Sequence, residues 1–378
     1  MKKILLLLSI CLFVFLFWTC KSKSETPTPT KPDIQIAAGS FQSLILKADN
    51  SLWATGNNFS GQLGDGTIIN KSSFVKTMTD VKAISSGGSH SLILKTDNSL
   101  WATGQNNRGQ LGDGTTTYKT SFVKLMTEVK SISARGNFSL IIKTDNSLWA
   151  AGVNNYGQLG DGTTTDKSSF VKVMTDVEAI SAGLNHSLIL KTDNSLWATG
   201  YNNYGQLGDG TTTSKSSFVK IMTDVKAISS GYYHSLILKT DNSLWATGNN
   251  HYGQLGDGIN PNRNSFVKIL DDVKSICAAG EHSLIVKTDN SLWATGFNGG
   301  GQLGDGANQD KNSFVKVLTN VKAISAGVGH SLILKTDNSL WATGYNNLGQ
   351  LGDGTNTNRS SFVKINLPLL SSYRIIQK

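Results

Sequence analysis

The chain has 378 residues, a net charge of +9 and three cysteines, Cys11, Cys20 and Cys277; so few thiols exclude a disulfide-stapled scaffold. A basic chain binds nucleic acid when its charge gathers on one face. Here Lys2 with Lys3, the segment 21–32 and the residues after 368 contribute +2 each, leaving +3 on residues 33–368; there Lys alternates with Asp, as in Lys95-Thr96-Asp97, no basic stripe forms, and nucleic-acid binding is excluded.

In chain order, Lys2 and Lys3 precede an apolar run, Ile4 to Trp18, interrupted only by Ser9. The run is shorter than the roughly 20 apolar residues of a membrane-spanning helix. A basic start with a short apolar core reads as a secretory signal over residues 1–20. It ends at Thr19-Cys20, and residues 21–32 form a polar tether rich in Ser, Thr and Pro. A cysteine closing the signal core ahead of such a tether resembles a bacterial lipoprotein leader. That resemblance implies lipidation of Cys20, a membrane anchor through it, and a place in the bacterial cell envelope, at the outer membrane, its periplasmic face or the cell surface.

From residue 33 the chain repeats. Trp53, Trp101, Trp149, Trp197, Trp245, Trp293 and Trp341 stand 48 residues apart, each within Ser-Leu-Trp-Ala-(Thr/Ala)-Gly. Gly-Gln-Leu-Gly-Asp-Gly follows in all seven units, from Gly61–Gly66 to Gly349–Gly354. A fixed period of roughly 20–50 residues marks units that bury their apolar faces only by stacking on neighbours.

One unit shows four β-favouring runs, Val177–Ser181, Ser187–Lys191, Ser195–Thr199 and Phe218–Ile221, punctuated by Gly, Asn, Asp and Thr. Asp193-Asn194 predicts a tight hairpin between the second and third, because both side chains bond their own backbone and Asn tolerates left-handed φ. Leu196 and Trp197 are expected on opposite, buried faces of the third strand. The glycines of Gly-Gln-Leu-Gly-Asp-Gly suit positive φ or close approach, its Leu an anchor and its Asp a bond to loop amides. No Lys-Ser/Thr follows, so the motif is no phosphate cradle.

The fold class is therefore all-β: a seven-bladed β-propeller of four-stranded antiparallel blades over residues 33–368. Its closure has two readings. Either the strand at Ile34 lies beside the last one, Phe362-Val363-Lys364, or Leu369–Ile376, within the tail 369–378, adds a closing strand.

The motifs Gly-x-x-His-Ser-Leu, Leu-Trp-Ala-Thr-Gly and Asn-Asn-Tyr-Gly-Gln-Leu-Gly-Asp-Gly resemble the regulator of chromosome condensation family over residues 33–368. The resemblance implies a seven-bladed propeller. It also implies two alternative roles, a guanine-nucleotide-exchange-factor-like regulator or an exported enzyme inhibitor. Exchange members of that family use a wedge inserted in one blade, and the period here never departs from 48.

Candidate chemistry is sparse. His90, His186, His234, His282 and His330 share one repeat position, with Gln42 and Phe138 at the other two. Equivalent positions on packed sheets lie about 10 Å apart, too far for one metal ion; each histidine is expected to bond its own blade's turn. Cys277 fills a slot that is Ser in five units and reads as a small buried residue. No paired acids, triad or Cys/His cluster appears within a unit, so neither catalysis nor a cofactor is expected.

The departures from the repeat fall in loops, where binding residues concentrate. Tyr is enriched at interfaces and hot spots. Tyr204, Tyr232, Tyr233, His234 and Tyr252 form the candidate ligand face, with Arg135 and Phe138 nearby around the ring. The expected function is a non-enzymatic, monomeric binding module for an extracytoplasmic protein or glycan.

Overall fold

The computed structural model describes residues 34–367. The expectations for the signal, the tether, Cys20 and the tail after 368 lie outside the described residues. Within them, 28 strands form seven separate four-stranded antiparallel sheets. Every blade is a continuous stretch of chain. Blade 1 runs through Gln35–Ala38, Gln42–Leu46, Leu52–Gly56 and Lys71–Met78; blade 7 through Val321–Ala326, His330–Lys335, Leu340–Gly344 and Arg359–Ile365.

Both faces of each sheet are buried by its neighbours, as the unbroken burial of the second strands requires. Seven apolar clusters result, one per interface. Trp197 packs towards blade 3 with Leu140, Leu148 and Ile189, whereas Leu196 packs towards blade 5 with Val225 and Ile237. The two neighbours on one strand thus serve opposite interfaces, as expected from the period of two. The predicted hairpin forms: Asn194 has φ +61°, and Asp193 accepts the Ser195 N–H. Ser195 in turn receives the Trp197 Nε1–H at 2.9 Å. Lys191 lies over the Trp197 ring, 5.1 Å from its centroid, so the half-buried indole is held at its rim and on its face.

Gly-Gln-Leu-Gly-Asp-Gly is the clasp between blades. In blade 1, Gly61, Gly64 and Gly66 all have positive φ and Leu63 is fully buried. Asp65 accepts the Thr67 N–H and pairs with Lys71 of its own blade, while its backbone bridges to Ser121 on the outer strand of blade 2. Gly66 N–H donates to Thr120 O at 2.9 Å. A Cβ on Gly64 would overlap the Phe122 ring of that next blade, so the first blade's backbone lies directly on the second blade's aromatic side chain. The clasp also covers part of an outer strand edge that would otherwise be open to pairing.

Ring closure differs from the first of these expectations. The strand Gln35–Ala38 pairs with Gln42–Leu46 inside blade 1 and takes no place beside Arg359–Ile365. Blade 7 already holds four strands of its own, and Leu369–Ile376 lie outside the described residues. Blade 7 meets blade 1 through the same clasp contacts that join every other pair. Gly354 N–H donates to Ser72 O at 2.9 Å, Asp353 bridges to Ser73, and Phe74 packs with Leu351 and Leu340. Closure needs no exchanged strand because each repeat carries its own clasp.

The clasp separates two kinds of glycine. At Gly352, φ is +70° and a Cβ would overlap the Phe74 ring; at Gly354, φ is +83° but the nearest atom to a Cβ is Ser73 Oγ at 3.7 Å. Gly352→Ala is expected to lower unfolding free energy by about 2–4 kcal/mol, combining strain and overlap, and Gly354→Ala by about 1 kcal/mol from strain alone. Equal shifts of the urea midpoint for the two variants would contradict this role for the clasp.

Candidate binding surface

The loops between innermost and second strands, and those between third and outer strands, emerge on one side of the ring. The backbone ties them together: Asn249 N–H donates to Tyr233 O at 2.8 Å. The longer loops are built around an Asn. In blade 4, Asn202 Oδ1 accepts the Leu207 N–H, and its Nδ2 donates to Asp209, Thr211 O and Thr213 O. Gln206 Oε1 accepts the Tyr204 N–H at 3.1 Å. Tyr204 therefore projects from a loop whose conformation is set by internal hydrogen bonds before any ligand arrives, which lowers the entropic cost of binding.

Four tyrosines meet there. Tyr201 lies 4.7 Å from Tyr156, 6.1 Å from Tyr204 and 5.9 Å from Tyr233, centroid to centroid, and Tyr204 lies 5.3 Å from Tyr233. Burial within the cluster raises the pKa of Tyr201 and Tyr233 above the usual phenol range, so both phenols are neutral at physiological pH. Beside it, Tyr204, Tyr252, His251, Pro261 and Glu281 line an open cleft of about 480 Å³. Tyr252 also stacks on His251 and Phe297. Burial raises the Glu281 pKa, opposed by the nearby His251. On blade 1, Phe59, Ile68 and Ile69 stand 57–66% exposed.

Of the residues expected on this face, Tyr204, Tyr233 and Tyr252 are brought together. Tyr232 turns inward to the central channel, where its hydroxyl meets Ser40 of blade 1 at 3.3 Å. Arg135 also lies in the channel, its Nη2 donating to Ala326 O of blade 7 at 3.0 Å. His234 and Phe138 are fully buried and offer nothing to a ligand on the surface. Both sit on second strands, whose two faces are covered by adjacent blades. Tyr156 and Tyr201, two of the loop residues that vary between repeats, complete the cluster, because equivalent loops of the consecutive blades 3, 4 and 5 lie side by side.

The histidines do not bond their own turns through the ring. His186 Nε2 meets Ser235 Oγ of the next blade at 3.0 Å, and the same bond recurs from His90 to Ser139 and from His330 to Ser43 across the closure. The serine donates its own proton to a main-chain oxygen, as Ser235 does to Gln206 O at 2.7 Å. Its Oγ must then accept from Nε2–H, which assigns the tautomer and leaves Nδ1 as a lone pair with no partner. The described residues hold no cluster of three or more His, Cys, Asp or Glu able to bind a metal.

Taken together, fold and surface define a seven-bladed propeller presenting a preformed, tyrosine-rich loop face. The chain belongs to the RCC1-like domain family: that family's model matches residues 18–319, and the regulator of chromosome condensation (RCC1) repeat matches residues 321–350. Among solved structures, human WBSCR16 is similar at 20% identity and a TM-score of 0.76, over 84% of this chain and 94% of that one. Yeast RCC1 (Prp20), solved with Kap60, is similar at 19% and 0.77 over 92% and 90%. Prp20p from Saccharomyces cerevisiae, described with its binding to Gsp1p and histones, is similar at 21% and 0.76 over 85% and 87%. At these identities the likeness is one of fold. No curated protein matches the sequence.

The histidine network makes stability depend on pH. Burial lowers His186, His234 and His282 to about 3 and His90 and His330 to about 4, from an ordinary 6.5; like charge from Arg135 lowers the first three further. These depressed values mean the unfolded chain binds more protons in acid. The stabilisation is complete above pH 6.5 and is lost as pH falls towards 3–4. His186→Gln, mimicking Gln42 of blade 1, is expected to flatten urea-derived stability against pH below about 6 by up to roughly 1.4 kcal/mol per pH unit. An unchanged slope would remove His186 from the titrating set.

Proposed function

We propose that this chain is a non-enzymatic binding module of the bacterial cell envelope, whose loop face takes an extracytoplasmic protein partner. The observation that carries the reading is the neutral cluster of Tyr156, Tyr201, Tyr204 and Tyr233, continuous with the cleft at Tyr252. Tyrosines anchor interfaces because they bury large area with few rotatable bonds and keep a hydroxyl for hydrogen bonding. The exposed Phe59, Ile68 and Ile69 on the same chain favour a protein over a sugar, which stacks on aromatic rings but gains little from aliphatic ones. The repeat-wide polar motifs are used in building hairpins and loops within blades and in holding blades together, which supports a scaffold role over catalysis. Cys20 tethers the ring, and residues 21–32 space it from the membrane.

Two measurements test this. Crosslinking on intact cells is to identify the partner. Tyr204→Ala with Tyr233→Ala is then expected to weaken its capture at least tenfold with the far-UV spectrum unchanged, and Tyr118→Ala, at a 44% exposed site in blade 2, to leave it unaltered. Equal loss from both changes would remove the cluster from the site. Selective binding on a glycan array would reassign the cleft to sugar, and accelerated GDP release from a small GTPase would establish the exchange-factor alternative. Separately, Cys20→Ser is expected to abolish palmitate labelling and to move the protein into the soluble fraction; a labelled, membrane-bound variant would exclude the anchor.

A further inference from the structure

The central channel holds a cation that the protein itself does not neutralise. Arg135 replaces the glycine found at this repeat position in blade 1 (Gly39) and, on a strand pair that carries the histidine, in blades 2, 4, 5 and 7 (Gly87, Gly183, Gly231 and Gly327). In those blades the histidine ring lies against that glycine, as His90 does against Gly87. In blade 3 the histidine is Phe138, so two departures from the repeat occur together and the side chain at 135 extends into the channel.

Arg135 is half-buried as a residue, with Nη1 fully enclosed. Nη2 donates to Ala326 O on the far side of the ring. Nη1 is buried with no acceptor from the protein. Burial lowers the pKa of Arg135, and the groups that oppose the shift are the Cys277 thiol and the Tyr232 phenol. No carboxylate forms an ion pair with it among the described residues. An arginine keeps its proton at any physiological pH, and a buried charge left unpaired is strongly destabilising.

The surroundings supply the remaining donors. Arg135 borders a cavity of about 160 Å³, lined at one level by Ser85, Ser133, Ser181, Ser229, Ser325 and Cys277. Each of these serines except Ser181 accepts an alanine N–H from the next blade, as Ser85 does from Ala134 at 2.9 Å; Ser181 accepts that of Ser230. A hydroxyl that accepts a backbone N–H still carries its own proton, and among the described residues none of the five donates it to a protein acceptor. Ser86 Oγ, which borders the same cavity, is buried without a partner. On the loop side, Arg135 and the Tyr232–Ser40 contact cross the channel, and only about 10 Å³ of space lies beyond them.

The opposite mouth carries both lysines and acids, with Asp97 beside Lys82. Lys82, Lys130, Lys226, Lys274 and Lys322 begin innermost strands there and reach hairpin asparagines such as Asn146, Asn242 and Asn290. Glu178, the acid at this position in blade 4, is paired with Lys130 at 2.9 Å.

We propose that the channel is a binding site for a small inorganic oxyanion such as phosphate, held by Arg135 Nη1 and the serine hydroxyls. An oxyanion is favoured over a halide because its several oxygens match a ring of hydroxyl donors and a planar guanidinium. The cavity admits a tetrahedral anion with one or two waters, each occupying about 30 Å³. This site is independent of the loop face.

The test is thermal unfolding of the full chain in buffer free of phosphate and chloride, titrated with each at constant ionic strength. Phosphate is expected to raise the wild-type Tm saturably, by several degrees at roughly a hundred times the dissociation constant. Arg135→Ala is expected to abolish the saturable rise, and Arg135→Lys to retain part of it. A rise of equal size in wild type and Arg135→Ala, as preferential exclusion of phosphate would give, overturns the proposal, and so does no rise in either. An equal saturable rise with chloride overturns the oxyanion assignment. If Arg135→Ala does not fold, crystals of the wild type soaked in selenate decide the matter: anomalous density beside Arg135 supports the site, and its absence there refutes it.

Discussion

The structure depends on one contact made seven times: a glycine-rich loop laid across the outer strand of the next blade. Everything apolar in a blade needs a neighbour, since both faces of its second and third strands are buried by adjacent sheets. Side-chain packing alone leaves the angle between sheets free to drift. The clasp fixes it, because Gly66 N–H, the Asp65 bridge and the Phe122 ring against Gly64 hold one loop at three points. The buried histidine–serine bond adds a polar tie deeper in the same interface, where a hydrogen bond has no water to compete with it.

That regularity also governs where the chain can carry anything specific. A residue in the clasp or the second strand faces a neighbouring blade and can change only within what that packing accepts, as Gln42 and Phe138 do, so most variation falls at loop tips and on the channel wall. Tyrosines from blades 3, 4 and 5 come into register on the loop side because adjacent blades present equivalent loop positions side by side. Arg135 and Tyr232 use the other outlet, crossing the axis to blades 7 and 1.

Much of this was legible in the sequence. The period, the Asp-Asn hairpins and the opposite facing of Leu196 and Trp197 follow from local chemistry and the period of two, and they hold in space. What was not legible depends on neighbours across the ring. The histidines read as turn residues because their serine partners lie 49 positions away, except His330, whose partner is Ser43. His234 and Phe138 read as surface residues because they adjoin variable loops, yet each is the first residue of a buried strand. Arg135 reads as part of a loop cluster because nothing in one blade shows that its side chain spans the channel. Closure was open for the same reason: an exchanged strand and a self-sufficient clasp leave identical repeats.

Among the described residues no strand is exchanged between blades, and this has a topological consequence. Blade 7 meets blade 1 through the same clasp bonds as every other pair, so the clasp has no privileged seam. The short connections from an outer strand to the next innermost strand, such as Asp80 or Asp176 with their left-handed φ, are equivalent sites for opening the polymer. The order of blades in space is therefore indifferent to where a gene encoding them starts. Cyclic reordering of the units preserves every interface, and the aromatic face and the Arg135 channel travel with it unchanged.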